Sequence, residues 1–113
     1  MRILILEMAT LIQIIELKVN GRNRFREWLS ELTCIQRAIV EERLERVRFG
    51  NLGQYRDLRG GLFELKFGSG LRVYYGLEGK TMVLLICGGD KGSQVRDIET
   101  ARAIWSAYRK GSS

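Results

Sequence analysis

The chain has 113 residues, with 19 Lys and Arg against 13 Asp and Glu, no histidine, no proline and two cysteines. The absence of histidine excludes Ser-His-Asp and Cys-His nucleophile pairs and the usual His-bearing zinc sites. The length and an apolar fraction of 45% predict one globular domain over residues 1–113. Two cysteines are too few for a disulfide framework, so we expect a reduced, cytoplasmic protein.

Most of the basic residues are arginine, 14 Arg to 5 Lys. Guanidinium groups match phosphate oxygens in a bidentate way, so the formal net charge of +6 makes an anionic partner worth considering. The charge is spread evenly along the chain, and only folding could gather it into one patch.

The opening residues are apolar but do not predict a membrane span. Glu7 interrupts the run, and no stretch reaches the about 20 apolar residues that a transmembrane helix needs. Residues 11–19 predict a buried strand instead. Residues 1–10 are a candidate N-terminal extension, because Met8 could itself be the start codon.

Between residues 20 and 48 the apolar side chains recur at the period of a helix, and two helices are predicted. The first has one apolar face, formed by Phe25, Trp28, Leu29 and Leu32. The second begins at a capping box of Thr33 and Gln36. Its predicted apolar side consists of Ile35, Ile39, Val40, Leu44 and Val47. Since almost no loop separates the two helices, they should form an antiparallel hairpin.

After residue 54 an alternating pattern returns, broken by glycine turns, and predicts an antiparallel meander. Its strands are expected at residues 62–67, 71–77 and 81–87, with an edge piece at 54–58. The third strand should be central and covered on both faces. A loop at 88–92 and a terminal helix at 93–109 complete an α+β fold. The apolar stripe expected on that helix is Val95, Ile98, Ala101, Trp105 and Tyr108.

Strand alternation places Glu64, Lys66, Arg72 and Tyr74 on the face of the meander opposite its apolar side. The loop after the third strand should bring Lys91 to the end of the central strand. One carboxylate, three cations and a phenol would then meet on an open sheet surface. The alternative is an ordinary solvated face, whose cross-strand ion pairs are each worth about 0.2–1 kcal/mol.

Three segments together resemble the RelE/ParE toxin superfamily, and above all its HigB-like addiction module killer branch. They are residues 61–67, 70–75 and 84–91, followed by Gln94, Asp97, Ile98 and Ala101. The resemblance covers about residues 12–109 and implies a compact RelE-like fold. It implies the toxin of a type II toxin–antitoxin pair, in most members a ribosome-dependent endoribonuclease that cuts translated mRNA.

RNA cleavage without metal or histidine needs a base for the 2′-hydroxyl, cations for the phosphate and an acid for the leaving 5′-oxygen. Glu64 is the only carboxylate on the inferred face and would be the base. The resemblance places Arg72 and Lys91 where related nucleases carry phosphate-binding cations, so Arg72 would be the phosphate clamp, with Lys66 and Lys91 as electrostatic support. Tyr74 would stack on a base or deliver a proton. We expect no metal and no cofactor.

The resemblance also implies partners: a cognate helix-turn-helix antitoxin, the ribosome with its mRNA, and operator DNA bound only through the antitoxin complex. No membrane partner is expected. Two other functions stay open, because the same fold serves gyrase poisons. The chain could be a ParE-like inhibitor of DNA gyrase, or an inactive toxin that retains only antitoxin binding.

Overall fold

A computed structural model describes residues 11–111, which form a five-stranded sheet and three helices. The predicted α+β class is confirmed. The candidate extension at residues 1–10, with the alternative start at Met8, lies outside the described residues. Within the described part of the chain, no helix is long and apolar enough to cross a membrane.

The elements follow one another as β1 (Gln13–Glu16), α1 (Arg24–Glu31), α2 (Cys34–Arg48), β2 (Tyr55–Asp57), β3 (Leu62–Lys66), β4 (Leu71–Glu78), β5 (Met82–Asp90), a 3₁₀ turn (Lys91–Ser93) and α3 (Gln94–Gly111). The strands lie in the order β1-β5-β4-β3-β2. The strands β2 to β5 pair antiparallel, as predicted for the meander. The first strand, β1, pairs parallel with β5, which the sequence did not predict.

The prediction of a buried strand over residues 11–19 is wrong in both length and burial. Only Gln13–Glu16 form β1, because this edge strand pairs with just the first part of β5, Met82–Leu85. The side chain of Ile14 packs against the core, whereas Ile15 is 43% exposed on the other face. An edge position therefore turns an apolar run into a half-covered strand.

Both predicted helices begin at a capping side chain, and the sequence predicted the one of α2. The Asn23 side chain accepts a hydrogen bond from the backbone N–H of Arg26 at the start of α1. At the start of α2, the Thr33 backbone N–H donates to the Gln36 side chain (3.0 Å) and the Gln36 N–H donates to the Thr33 hydroxyl (3.1 Å). This reciprocal pair is the predicted capping box, and it is confirmed.

The inner face of α2 differs from the predicted one. Val40, Arg43 and Val47 are its buried residues, while Ile35 is 75% and Ile39 41% exposed. Residues 40, 43 and 47 recur at helical spacing and point to the sheet, so the two isoleucines lie on the flank. A buried arginine thus takes the place that the sequence assigned to apolar side chains.

Two apolar clusters cover the two faces of the sheet. The cluster beneath α1 and α2 contains Phe25, Leu29, Val40, Val47, Leu65, Phe67, Leu71, Val73, Tyr75, Val83 and Leu85. The cluster beneath α3 contains Leu17, Leu62, Tyr74, Leu84, Ile86, Cys87, Ala101 and Trp105. The sheet is therefore a middle layer, and β5 is covered on both faces as predicted.

A β-bulge in β5 corrects the predicted loop at residues 88–92. Tyr74 pairs with Cys87 and Tyr75 pairs with Leu85, so Ile86 is an extra residue in β5. Beyond the bulge the strand continues to Asp90, opposite Leu71 of β4. Residues 88–90 are strand rather than loop because the bulge restores alternation and antiparallel pairing holds the glycines in extended conformation.

Each tryptophan packs against a glycine of the sheet. A β-carbon on Gly76 would overlap the Trp105 indole, and one on Gly88 would overlap the Trp28 indole. A side chain at either position would push its helix away from the strand. These contacts bring α1 and α3 close to β5 and β4 on opposite faces of the sheet.

Candidate functional site

Four residues on neighbouring strands form one row across the sheet. Arg56 of β2 is opposite Glu64 of β3, Glu64 is opposite Tyr74 of β4, and Tyr74 is opposite Cys87 of β5. With strands about 4.8 Å apart, the row is about 14 Å long. It places Glu64 between a cation on the edge strand and a phenol on the inner side.

The cations predicted for the site lie in the next row and in the turn beyond it. Lys66 is opposite Arg72, which is opposite Gly89. Lys91 begins the 3₁₀ turn after β5 and lies beside the β3–β4 turn, since a β-carbon on Gly70 would be 3.9 Å from that of Lys91. The shared face predicted for Glu64, Lys66, Arg72 and Tyr74 is therefore confirmed, and Lys91 lies at the same end of the sheet.

The Glu64 carboxylate is enclosed by three side chains from three elements. Its Oε1 lies 3.2 Å from Nε of Arg56, and its Oε2 lies 4.0 Å from Nε of Arg72. Nε2 of Gln94, in the first turn of α3, donates a 2.8 Å hydrogen bond to Oε2. A buried carboxylate needs partners that replace water, and here Gln94 supplies a hydrogen bond and two guanidinium groups supply ion pairs. Among the described residues Oε1 has no hydrogen-bond partner.

The expectation of an open sheet surface is wrong for the centre of the site. The side chain of Glu64 is 0% and that of Arg72 only 9% exposed, and Tyr74 is fully buried. The helix α3 covers this face, with Gln94 over Glu64 and Trp105 in the same apolar cluster as Tyr74. The simpler alternative of a solvated charged face is wrong there for the same reason.

Tyr74 occupies a place that does not suit either of its predicted roles. Its ring is fully buried, so it offers no face to a base arriving from solvent. Burial, followed by the neighbouring Glu64 carboxylate, raises the pKa of Tyr74 well above its ordinary value. A phenol that holds its proton this strongly is a poor general acid at neutral pH. Among the described residues its hydroxyl has no hydrogen-bond partner.

Arg72 is directed into the protein, not towards solvent. Its Nη1 donates to the carbonyl oxygens of Leu71 (3.0 Å) and Phe67 (3.4 Å). The guanidinium thus fastens the β3–β4 turn, which is a structural contact that the role of phosphate clamp did not anticipate. Lys66 is partly exposed and Lys91 is exposed, so these two cations do reach solvent.

Two residues of the site were missed by the sequence analysis. Arg56 shares the face of Glu64 by strand alternation. That alternation was present in residues 54–58, but the segment was predicted only as an edge piece. Gln94 belongs to the segment that carries the family resemblance, yet no sequence pattern assigns it a partner. Its contact with Glu64 depends on how α3 docks, which is a long-range property of the fold.

Cys87, at the inner end of the row, has an unreactive thiol. Burial, with a smaller effect of Asp97, raises the pKa of the Cys87 thiol to about 12. The thiolate is the reactive form of cysteine, so Cys87 is inert, as expected from its place in an apolar strand. The neighbouring cleft of ≈ 360 Å³ is bordered by Trp28 and Arg96. Among the described residues, no group of three or more His, Cys, Asp or Glu side chains could hold a metal ion.

Comparison with known proteins identifies a bacterial relative. No protein-family model matches the sequence, and no solved structure shows significant similarity to it. The chain is similar to a protein of Haemophilus influenzae that carries the description "Uncharacterized protein". The two are 39% identical over 83 residues, which cover 71% of this chain and 84% of the relative.

Proposed function

The chain belongs to one family with this Haemophilus influenzae protein, and we propose that it is a toxin of a type II toxin–antitoxin pair, acting as a metal-independent endoribonuclease on translated mRNA. The proposal includes a RelE-like fold of the HigB-like branch and action in the cytoplasm. Its support is the family resemblance of the three sequence segments, together with the side chains that converge on Glu64.

The observation that carries the proposal is the row of Arg56, Glu64 and Tyr74, with Lys66 and Arg72 in the row beside it. Lys66 and Arg72 are like charges placed directly opposite each other, and the Glu64 carboxylate lies beside Arg72. A phosphodiester would supply a second anion at the partly exposed Lys66. A carboxylate next to a phosphate-binding group of cations is the minimum that metal-free RNA cleavage requires.

In the proposed reaction Glu64 removes the proton from the 2′-hydroxyl. The 2′-oxygen then forms a bond to phosphorus while the bond from phosphorus to the 5′-oxygen breaks, and the leaving oxygen takes up a proton from water. The products are a 2′,3′-cyclic phosphate and a 5′-hydroxyl. Lys66 and Lys91 stabilise the charge that grows on the phosphate oxygens, and Arg72 supports them from the β3–β4 turn.

The burial of Glu64 sets one condition on this reaction. Because Gln94 donates to Oε2 and no part of Glu64 reaches solvent, the substrate meets the carboxylate only after the Gln94 side chain has moved away. A translating ribosome can hold the mRNA in an in-line geometry, and orientation of this kind supplies part of the acceleration. The proposal therefore includes weak cleavage of free RNA.

The test compares the parent with Glu64→Gln in a reconstituted translation system, with cleavage of a defined mRNA mapped by primer extension. Loss of the base should lower the cleavage rate by at least about 100-fold. The matched control is Glu42→Gln, whose side chain is 72% exposed on α2 and should cut like the parent. A parent protein that arrests growth but leaves translated mRNA uncut would refute the nuclease, and a gyrase supercoiling assay would then test the ParE-like activity.

A second candidate is an inactive toxin that only binds its antitoxin. The observation in its favour is the complete burial of Glu64, which leaves no carboxylate of the row accessible. This candidate requires that expression of the chain without a partner causes neither growth arrest nor mRNA cleavage. Under both candidates the proposed partner is a small helix-turn-helix antitoxin, through which alone the chain would reach operator DNA. The ribosome and mRNA are partners only of the nuclease.

A further inference from the structure

We infer that Arg56, on the edge strand β2, is the arginine that contacts the phosphate of the RNA. The inference rests on the proposed nuclease function and deepens it, since it moves the phosphate contact from Arg72 to a residue that no sequence pattern had selected. The ligand atoms are the non-bridging oxygens of a phosphodiester.

The first argument is the way in which Arg56 is held. Its Nε lies 3.2 Å from the buried Glu64 carboxylate, whereas the side chain as a whole is 48% exposed. Within residues 11–111, neither of its two terminal amino groups has a hydrogen-bond partner. A guanidinium held beside a carboxylate by an ion pair, with both amino groups free, can present those amino groups as a fork to a phosphate.

The second argument is the contrast with the other arginines. Arg72 donates Nη1 to two backbone carbonyls and is only 9% exposed, so its amino group faces inward. Arg22 and Arg46 do reach solvent, but each pairs with an exposed glutamate of its own segment. Of the arginine–carboxylate pairs in the described chain, those with a fully buried carboxylate all involve Glu64. Arg56 is the exposed member of these pairs.

The third argument is position. Arg56 lies on the edge strand, which no further strand of residues 11–111 covers. Lys66 lies two residues beyond Glu64 on β3 and is therefore a diagonal neighbour of Arg56, about 7–8 Å away on the same face. An extended RNA that follows this edge would meet Arg56 and Lys66 in turn, on the face where Glu64 lies beneath Gln94.

The experiment measures mRNA cleavage in the reconstituted translation system at increasing concentrations of programmed ribosomes. Arg56→Gln should raise the half-saturating concentration by about 10-fold or more, since one charge-assisted hydrogen bond is lost. The maximal rate should change less. The logarithm of the binding constant, plotted against the logarithm of the salt concentration, should have a slope that is shallower by about 0.7. This is the change expected for one lost contact to single-stranded nucleic acid.

Two further variants separate binding from folding. Arg46→Gln removes an arginine of similar exposure, 56%, from the opposite layer and should match the parent. Arg56→Lys keeps the charge beside Glu64 without the fork, so it should restore the salt slope but only part of the affinity. If Arg56→Gln does not fold, as judged by circular dichroism, the half-saturating concentration of Arg56→Lys decides. A value equal to that of the parent would then overturn the phosphate contact.

The outcomes separate the proposed nuclease function from the proposed phosphate contact of Arg56. If the parent does not cut mRNA, the nuclease and the role of Arg56 fail together. If the parent cuts and Arg56→Gln behaves like Arg46→Gln, the phosphate contact alone is overturned. A loss of maximal rate at unchanged half-saturation would likewise overturn it, because Arg56 would then act only by positioning Glu64.

Discussion

The Gln94 amide donates a 2.8 Å hydrogen bond to Oε2 of Glu64, and this contact joins the first turn of α3 to the middle of the sheet. The acceptor is a side chain with no exposed surface. The helix therefore both completes the partners of the carboxylate and closes the site over it. The Gln94 side chain therefore affects both the stability of the fold and the access of a substrate to Glu64.

Replacing Gln94 by alanine should lower the free energy of unfolding by about 1–3 kcal/mol, because a buried charged acceptor loses its donor. The measurement is urea unfolding followed by circular dichroism. Gln13→Ala is the matched control, since Gln13 is an exposed residue of β1. Equal midpoints for the two variants would mean that the Gln94 hydrogen bond adds nothing to stability.

The contact between Gly76 and Trp105 predicts that one methyl group added at residue 76 lowers the stability of the fold. A β-carbon on Gly76 would lie 2.5 Å from Cε3 and Cη2 of the indole, so Gly76→Ala should destabilise the fold by about 1–3 kcal/mol through overpacking. Trp105 also donates a 2.9 Å hydrogen bond to the carbonyl of Gly60, which limits its freedom to move away.

Gly68→Ala is the control for this change, because a β-carbon on Gly68 would meet no atom within 4 Å. It should unfold at nearly the same urea concentration as the parent. If Gly76→Ala were as stable as Gly68→Ala, the indole would have to shift without loss, and the close packing of α3 on β4 would be disproved.

Arg43 should be the most sensitive charged residue of α2. Its guanidinium donates to the carbonyls of Leu52 (2.9 Å), Lys66 (3.0 Å) and Gln54 (2.7 Å). Arg43→Met keeps the apolar stem but leaves three carbonyls without this donor, so we expect a loss of about 2–4 kcal/mol.

The measurement is the difference in unfolding free energy between Arg43→Met and Arg46→Met. Arg46 lies one turn further along α2, and its side chain is 56% exposed, so its replacement should change stability by less than about 0.5 kcal/mol. A similar loss in both variants would show that Arg43 acts through helix propensity and not through its carbonyl contacts.

Stability should fall as the pH rises above 9. Burial raises the pKa of the Cys87 thiol from an ordinary value near 9.0 to about 12 in the folded protein. The unfolded chain therefore loses this proton first, and the stabilisation present below pH 9 declines by up to about 1.4 kcal/mol per pH unit. Burial also raises the pKa of Tyr75 from 10.0 to about 12, which adds to the decline above pH 10.

The check is urea unfolding at pH 8, 9 and 10. Cys87→Ala should make the decline between pH 9 and 10 shallower, whereas Cys34→Ala, which removes the exposed thiol, should leave the decline as in the parent. A parent protein whose unfolding free energy is constant from pH 8 to 10 would contradict the burial of the Cys87 thiol.

Local features of the fold could be predicted because short-range geometry decides them. The Thr33 and Gln36 box marks the start of α2, since both hydrogen bonds close within one turn of helix. The bulge at Ile86 could not be predicted, because a bulge is a mismatch between two strands and neither strand reveals it alone. The burial of Arg43 has the same origin, since its acceptors are contributed by a loop and by β3.

The sequence by itself determined that Glu64, Lys66, Arg72 and Tyr74 share one face, because side chains alternate along any strand. Only the tertiary structure decided that α3 covers Glu64 and Tyr74, that Arg72 turns inward, and that Arg56 is the exposed partner of the carboxylate. Periodicity fixes the direction in which a side chain points, whereas its accessibility depends on which distant segment packs over it.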